Sequence, residues 1–441
     1  MAETGVEVYV QIRGEDVLAG RLWSHRRGNA ESATFAYDSD YIGRPDAYGL
    51  DPALSLVTAQ QQTAAGQKIF AAFSDCAPDR WGRRLIVRGE KRRVEREGGA
   101  ERSFGEMDLL LGVRDDMRQG ALRFRRPGED AFLSDEETGV PHLIELPELL
   151  GATGALERDE ASEEELRILL RGGSSLGGAR PKAHVIDGAG RAAIAKFPST
   201  ADGHDVIRWE AVALTLARAA DIDVPDWRLE LIDDKPVLIV RRFDREGERR
   251  LGYVSAMTML EAADGDGSSY LEIVDAIERH SPSAERDLRE LWRRIAFTVL
   301  ISNTDDHLRN HGFLRFSSAG WSLSPAFDLN PDPEPGSKHL STSIGFGDTT
   351  ASLETLTGVR DYFGLGDSEA RSVMGEVHDA TAGWREAATG LGIDPAGIAE
   401  MESAFEHDQR KLAEEIVAGV RARGAGANPP APAKLDPTRW T

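Results

Sequence analysis

Apolar and polar positions alternate with a period of two along the opening of the chain. "VEVYVQI" and "VLAGRLWS" read as two strands of a hairpin around "RGED", and "ATFAYD" as another strand. The period then lengthens. "DCAPDRWGRRLIVRGEKRRVERE" has a helical pattern and is strongly basic. The acid-rich run 145–170 has Leu and Ile at helical spacing, and its helix is expected to stop at Arg171, where "GGSSLGG" sets four glycines in seven residues. "PKAHVIDGAGRAAIAKF" and "WRLELIDDKPVLIVRRF" each show two alternating runs about a turn, which predicts two β-hairpins. Between them "DVIRWEAVALTLARAADI" predicts a helix with Asp205 as N-cap.

From Gly252 onward the texture is helical, with helices expected at 258–264, 269–279, 284–302, 367–387 and 397–422. The Pro/Gly/Ala-rich end, 424–441, is expected to be disordered. An α+β first half feeding a helical second half is the fold class this order predicts. The chain has 441 residues, enough for two or three domains.

Charge narrows the partners. Fifty-three basic against 75 acidic residues leave a net charge of −22. Such a surface disfavours autonomous nucleic-acid or membrane binding, so any DNA contact needs a local basic patch or a basic partner. The single cysteine, Cys76, rules out a disulfide framework and suits a reducing cytosol. "MAETGVEVYVQI" has no signal-peptide pattern and no apolar run approaches membrane-spanning length. The basic run 80–96 reads as a solvated helix face that can also meet phosphate or an acidic partner.

The concentrated chemistry is in "ISNTDDHLRNHGFL", 301–314. Before it, "ELWRRIAFTVL" presents Leu291, Trp292, Ile295, Ala296, Val299 and Leu300 as one apolar helical face. That helix is expected to run out at Ser302–Asn303 and to deliver Asp305 into a loop. A hairpin, "GFLRF" and "WSL" about "SSAG", follows, and then "SPAFDLN" with Asp328. Asp305 and Asn310 stand five residues apart, the spacing of base and metal ligand in the protein-kinase catalytic loop. A hard Mg²⁺ takes oxygen ligands, which Asn310 and Asp328 can supply. Alone the D-x-x-x-x-N spacing is weak, because Asp and Asn also serve as ordinary loop and cap residues.

Order strengthens it. Lys196 lies in the strand "AAIAKF"; facing inward it must meet an anion, facing outward it is a surface lysine. Glu210, on the next helix, can pair with it as the kinase Lys–Glu pair does, or sit on the surface. Upstream, "GGSSLGGARPK" can let backbone N–H groups approach phosphates, although Ala179 and Arg180 stand where a Walker A loop has Lys and Ser/Thr. Glycine loop, strand Lys, helix Glu, catalytic Asp, Asn and second Asp follow the protein-kinase sequence of parts.

Through "SSLGGARPK", "IAKFPS", "VRRFDR", "NTDDHLRN" and "LSPAFDLNP", in that order, the chain resembles the HipA family of serine/threonine-kinase toxins from type II toxin–antitoxin modules. The resemblance runs to about residue 420. It implies a bilobal protein-kinase-like α+β fold: an N-terminal subdomain over 1–135, a kinase N-lobe over 136–250 and an all-helical C-lobe over 251–423. It implies ATP and Mg²⁺ as cofactors and Asp305 as general base, with Asn310 and Asp328 on the metal. Gly177, Gly178, Ala179, Arg180, Pro181 and Lys182 match the phosphate-binding loop, and Lys196 the phosphate-contacting lysine. Arg241, Arg242 and Phe243 match the adenine hinge. His307, Leu308 and Arg309 fall in the loop touching ATP, and Phe327 precedes the metal acid. Ser175 matches the autophosphorylated serine, with Ser174 beside it.

The implied partners are a HipB-like helix-turn-helix antitoxin, with DNA met only through it, and a protein substrate such as an aminoacyl-tRNA synthetase or another translation factor. The implied location is cytoplasmic. Departures exist: Asp306 stands where the family often has Gly, Arg309 where Lys is common, and Arg241 where an acidic hinge residue is frequent. Asp306 leaves two carboxylates as candidate base. Two other functions compete, a catalytically silent corepressor acting with a DNA-binding antitoxin and a metal phosphohydrolase or small-molecule kinase.

Overall fold

The computed structural model describes residues 4–28, 30–133, 141–172, 180–263 and 265–423. The loop residues Ser174, Ser175, Gly177, Gly178 and Ala179 and the tail 424–441 lie outside the described residues. Among those described, no helix is long and apolar enough to cross a membrane.

Strands β1 (Thr4–Ile12) and β2 (Glu15–Arg27) form the expected hairpin, with Ile12 opposite Glu15. Arg13 and Gly14, both at positive φ, make a two-residue turn whose twist matches the strands. With β3 (Ala30–Tyr37), β4 (Gln61–Gln62) and β5 (Leu122–Arg125) they complete an antiparallel sheet of order β4-β3-β2-β1-β5. Val6, Val8 and Val10 point to one face and pack on Leu22, Phe35, Phe73 and Phe124.

The basic helix α1 (Arg80–Glu97) sends Trp81 and Leu85 into a different core, shared with the second sheet. The run 145–170, expected as one helix, is two: α2 (Leu146–Glu157) and α3 (Glu163–Gly172). Asp159 at positive φ ends the first. Ser162 caps the second, its Oγ accepting from Glu165 N (3.2 Å) while its own N–H donates to the Glu165 carboxylate (2.7 Å). Both helices bury their leucines in one core, so the apolar spacing runs on across the break.

Strands β6 (Lys182–Ile186) and β7 (Ala192–Lys196), then α4 (Val206–Ala219), then β8 (Trp227–Ile232) and β9 (Lys235–Arg241) give both predicted hairpins. They join as an antiparallel sheet, β6-β7-β9-β8. Asp233 and Asp234, both at positive φ, form the second two-residue turn. Asp205 caps α4 as expected, accepting from Arg208 N at 3.0 Å.

The second half is helical apart from one sheet. After the short ribbon β10 (Arg245–Glu246) and β11 (Arg249–Arg250) comes β12 (Gly252–Ser255). Helices α5 (Tyr270–His280) and α6 (Ala284–Leu300) precede β13 (Gly312–Ser317) and β14 (Gly320–Leu323), and the three strands pair as β12-β13-β14. The predicted hairpin thus supplies two strands of a sheet that an all-helical lobe does not have. Other helices are shorter than expected. The first is only Ala256–Met259. The run 367–387 breaks at Gly383 after α7 (Asp367–Ala382), and 397–422 divides into Pro395–Glu400, Glu402–Phe405 and α8 (Asp408–Arg423). Packing explains the breaks: Trp384 stacks on Phe405 at 4.7 Å and both lie against Trp209 of α4, which continuous helices would forbid.

One buried ionic cluster ties the first sheet to the rest. Asp244 accepts from Arg242 (2.6 Å), Arg245 (2.8 Å) and the Gly120 backbone N–H (2.8 Å), while Arg242 also donates to the carbonyls of Met117 and Arg118. Burial alone would raise the Asp244 pKa, but the two guanidiniums hold it well below the usual carboxylate range.

Candidate active site

Helix α6 buries Leu288, Leu291, Trp292, Ile295, Val299 and Leu300 in the main core, as its periodicity requires. It ends on a left-handed residue, Ser302, with Asn303 N donating back to Thr298 O at 2.9 Å. This cap throws the next residues out of the helix axis into the polar loop. Asp305 comes out exposed, and Asp306 turns inward. The buried Asp306 carboxylate accepts from Tyr270 Oη (2.5 Å) and Thr298 Oγ1 (3.3 Å), and stands 3.2 Å from His311 Nε2. Burial works to raise its pKa, yet His311 and these donors bring it below the ordinary value. Asp306 is therefore an anchor for the loop, while Asp305 keeps its carboxylate toward solvent.

The second acid-bearing segment is stitched to this loop. Thr304 Oγ1 donates to Asp332 (2.8 Å), Asp332 N to Ser302 O (3.1 Å) and Asn330 N to Asn303 Oδ1 (3.3 Å). Asp328, just upstream, sits at φ +59°, a left-handed conformation that Asp tolerates better than most residues and that recurs at functional sites.

Lys196 faces inward. Its Nζ lies 2.5 Å from Glu210 Oε1 and 2.9 Å from Asp328 Oδ1, so one ammonium serves two carboxylates. β7 brings the lysine, α4 the glutamate, and the 328–332 segment the aspartate. Burial opposes the lysine's charge, but the two carboxylates outweigh it and hold Lys196 protonated well above its usual range. Asp328 likewise overcomes burial through Lys196 and falls to about 2. Glu210 is the most enclosed of the three, and burial lifts its pKa.

Asn310 donates its Nδ2 to Asp305 O at 3.0 Å, which fixes the orientation of the amide and of its Oδ1. Ionised Asp328 and amide Asn310 are hard oxygen donors of the kind Mg²⁺ takes. Around them His307 Nδ1, Asn303 Nδ2 and Asn330 Oδ1 are buried without a hydrogen-bond partner. Orphaned buried polar atoms are rare and fit a polar ligand. No group of three or more His, Cys, Asp or Glu is assembled for a metal among the described residues.

Residues 174–384 match the family model of the HipA-like C-terminal domain. The matched stretch, a little under half of the chain, is similar to a HipA-like C-terminal domain. A chain from the solved complex of the Shewanella oneidensis MR-1 toxin–antitoxin system HipA, HipB and its operator DNA superposes with a TM-score of 0.61. The likeness covers 95% of this chain and 97% of that one, at 15% identity, and shows a shared fold. Two curated relatives from Sinorhizobium fredii bear the name Putative kinase, Y4dM and Y4mE. They are 29% and 25% identical over 160 and 193 residues, which is 32% and 38% of this chain. The matches span 38% and 43% of those relatives' own lengths.

Within the HipA-like fold the other expected positions fall as follows. Phe243 and Phe327 pack ring to ring at 5.5 Å beside Asp328 and are half-buried. Arg242 spends its guanidinium inside the Asp244 cluster, and Arg241 turns toward Asp226 (3.4 Å), so of the expected hinge side chains only Phe243 stands with Phe327. Leu308 is buried in the main core, and Arg309 is exposed. Pro181 is buried, and Arg180 pairs with Asp202. Lys182, opposite Lys196 in the β6–β7 register, donates to Asp79 at 2.8 Å. Asp79 also caps α1 through Gly82 N (2.7 Å), so this pair roots the base of the glycine loop on the first half of the chain. The sequence signals it only as an acid before a helix, and its partner lies more than a hundred residues on. The Asp306 anchor was equally hidden, since Tyr270 and Thr298 come from two different helices.

Proposed function

We propose that this chain is an ATP-dependent protein serine/threonine kinase, the toxin of a HipBA-like toxin–antitoxin module. The observation that carries the proposal is Lys196 held between Glu210 and Asp328. A buried lysine paired with a helix glutamate, beside a metal-type aspartate, is the arrangement protein kinases use for phosphoryl transfer from a nucleotide. Bound Mg²⁺·ATP supplies the transferable γ-phosphoryl group and the metal charge that neutralises it. Lys196 binds phosphate oxygens, Asn310 and Asp328 hold the cation, and Phe243 with Phe327 offers an apolar wall to the nucleotide. Asp305 takes the proton of the acceptor hydroxyl, because Asp306 is committed to Tyr270, Thr298 and His311.

A HipB-like helix-turn-helix antitoxin is the partner this reading assigns, by likeness to the Shewanella complex. The net charge of −22 supports contact with DNA through that partner rather than directly. The substrate is a protein of the translation machinery, and Ser175 is the autophosphorylated residue. The test is incubation of the purified chain with Mg²⁺ and γ-labelled ATP. Label on the protein, mapped to Ser175 and lost in Asp305→Asn, supports the kinase. A wild-type protein that binds ATP and transfers nothing would instead point to the silent corepressor.

A further inference from the structure

The short helix Ala71–Asp75 belongs to the first half of the chain and ends against the second. Phe73 packs on Phe35 and Phe124 of the first sheet, with ring centroids 5.6 and 6.0 Å away. Asp51 fixes the first turn by accepting from Ala72 N (2.7 Å). Buried Arg118 fixes the end by donating to Cys76 O (3.1 Å). Asp75 is thus mounted firmly on the first core, and its side chain reaches across to β12.

There the Asp75 carboxylate accepts from Ser255 twice, from the backbone N–H (2.7 Å) and from Oγ (2.8 Å). One acid holds the last residue of β12 by both of its donors. Ser255 stands opposite Gly312 in the β12–β13 register, and the next residue, Ala256, donates its N–H to His311 O at 2.7 Å. The approach leaves little slack, since a Cβ on Gly312 would sit 2.5 Å from the Tyr253 ring. His311 and Gly312 directly follow Asn310. On the other side of Asn310 stands Arg309, whose positive charge also acts on Asp75. Burial raises the Asp75 pKa to about 6, against the Ser255 and Thr258 hydrogen bonds and the charge of Arg309. Both flanks of Asn310 therefore lead back to one acid in the first half of the chain.

We propose that Asp75 is a positioning residue: through Ser255 and Arg309 it sets where the Asn310 amide stands for the cation of Mg²⁺·ATP. The role rests on the kinase activity proposed for this cleft. Residues that orient a metal ligand govern metal affinity or activity by about 10–100-fold. Cation binding in the second half of the chain then depends on the first half being docked against it.

The test uses the full chain and two substitutions. Asp75→Ala removes both acceptors from Ser255, and Asp75→Asn keeps an oxygen for the Ser255 N–H while removing the charge. Hydrogen exchange of the free protein reads the loop directly: amides of 305–314 should exchange about tenfold faster in Asp75→Ala, with β1–β3 unchanged. Calorimetric titration of Mg²⁺ at fixed ATP reads the consequence, and half-saturating Mg²⁺ should rise about tenfold or more in each variant. In an Asn310→Ala background Asp75→Asn should raise it no further, a result that a general loss of stability would not produce. If Asp75→Ala does not fold, Asp75→Asn carries both measurements. Unchanged loop exchange or an unchanged Mg²⁺ requirement, in a chain whose wild type binds Mg²⁺·ATP, overturns the positioning role alone. A wild type that binds no Mg²⁺·ATP overturns the proposed kinase and this role with it.

Discussion

Replacing Lys196 by Met removes one charge from between two carboxylates and keeps most of the stem's apolar contact. The ammonium now lies 2.5 Å from Glu210 and 2.9 Å from Asp328. Removing one partner of a buried pair costs about 3–5 kcal/mol when the survivor stays charged and dry. Neither survivor meets both conditions. Glu210, 4% exposed, already has a raised pKa and escapes the penalty by taking a proton. Asp328, 33% exposed, is partly screened by water. We therefore predict a stability loss of about 1–3 kcal/mol, read from urea unfolding. ATP affinity should fall further, because losing a buried charged contact costs about 2–5 kcal/mol, or roughly 30- to several-thousand-fold. The pH profile supplies an independent sign. Asp328, depressed to about 2 by Lys196, contributes stability that is present above its unfolded value of about 3.9 and is lost as pH falls toward 2. The wild type should lose stability through that window, and Lys196→Met should lose much less. Unfolding and calorimetric ATP titration of both proteins check this. Unchanged ATP affinity together with an unchanged acid profile would refute the shared-lysine reasoning.

Asp305→Asn should cut phosphate transfer by about 10²–10⁴-fold with little change in ATP affinity. Asp306→Asn should act on folding instead, destabilising the chain by about 1–3 kcal/mol in urea, because its buried donors lose a charged acceptor. Asp328→Asn should raise the Mg²⁺ concentration needed for half-maximal ATP binding at least tenfold, since a neutral amide is a poorer ligand for a hard cation; an unchanged Mg²⁺ requirement would count against the metal assignment. Asp244→Asn should leave Arg242 and Arg245 unpaired in a buried site, costing about 3 kcal/mol and opening the 118–120 segment to protease first.

Much of the site was legible because its parts are ordered along the chain. The period change at Gly252, the apolar face of α6, the Asp305–Asn310 spacing and the lysine in "AAIAKF" are all local patterns, and local patterns follow from side-chain periodicity and capping chemistry. The hairpins were legible for the same reason, since "RGED" and "DDKP" each put a two-residue turn between alternating runs. Long apolar runs misled where a core drew in a side chain from beyond a break. The Leu spacing of 145–170 and the pattern of 397–422 each continue across a turn that exists so that both sides pack on one core.

What the sequence by itself determined is the set of chemical parts and their order: glycine loop, strand lysine, helix glutamate, polar loop, second acid. Only the tertiary structure decided which parts act together. Asp305 and Asp306 are neighbours of the same type, and burial separates them, giving one to Tyr270, Thr298 and His311 and the other to solvent. Lys196 could equally have faced out until α4 and the 328–332 segment closed on it. Partners such as Asp79 and Lys182, or Asp115 and Arg250, come from elements a hundred or more residues apart. Their pairing depends on which helix and sheet faces meet, and no local pattern along the chain encodes that.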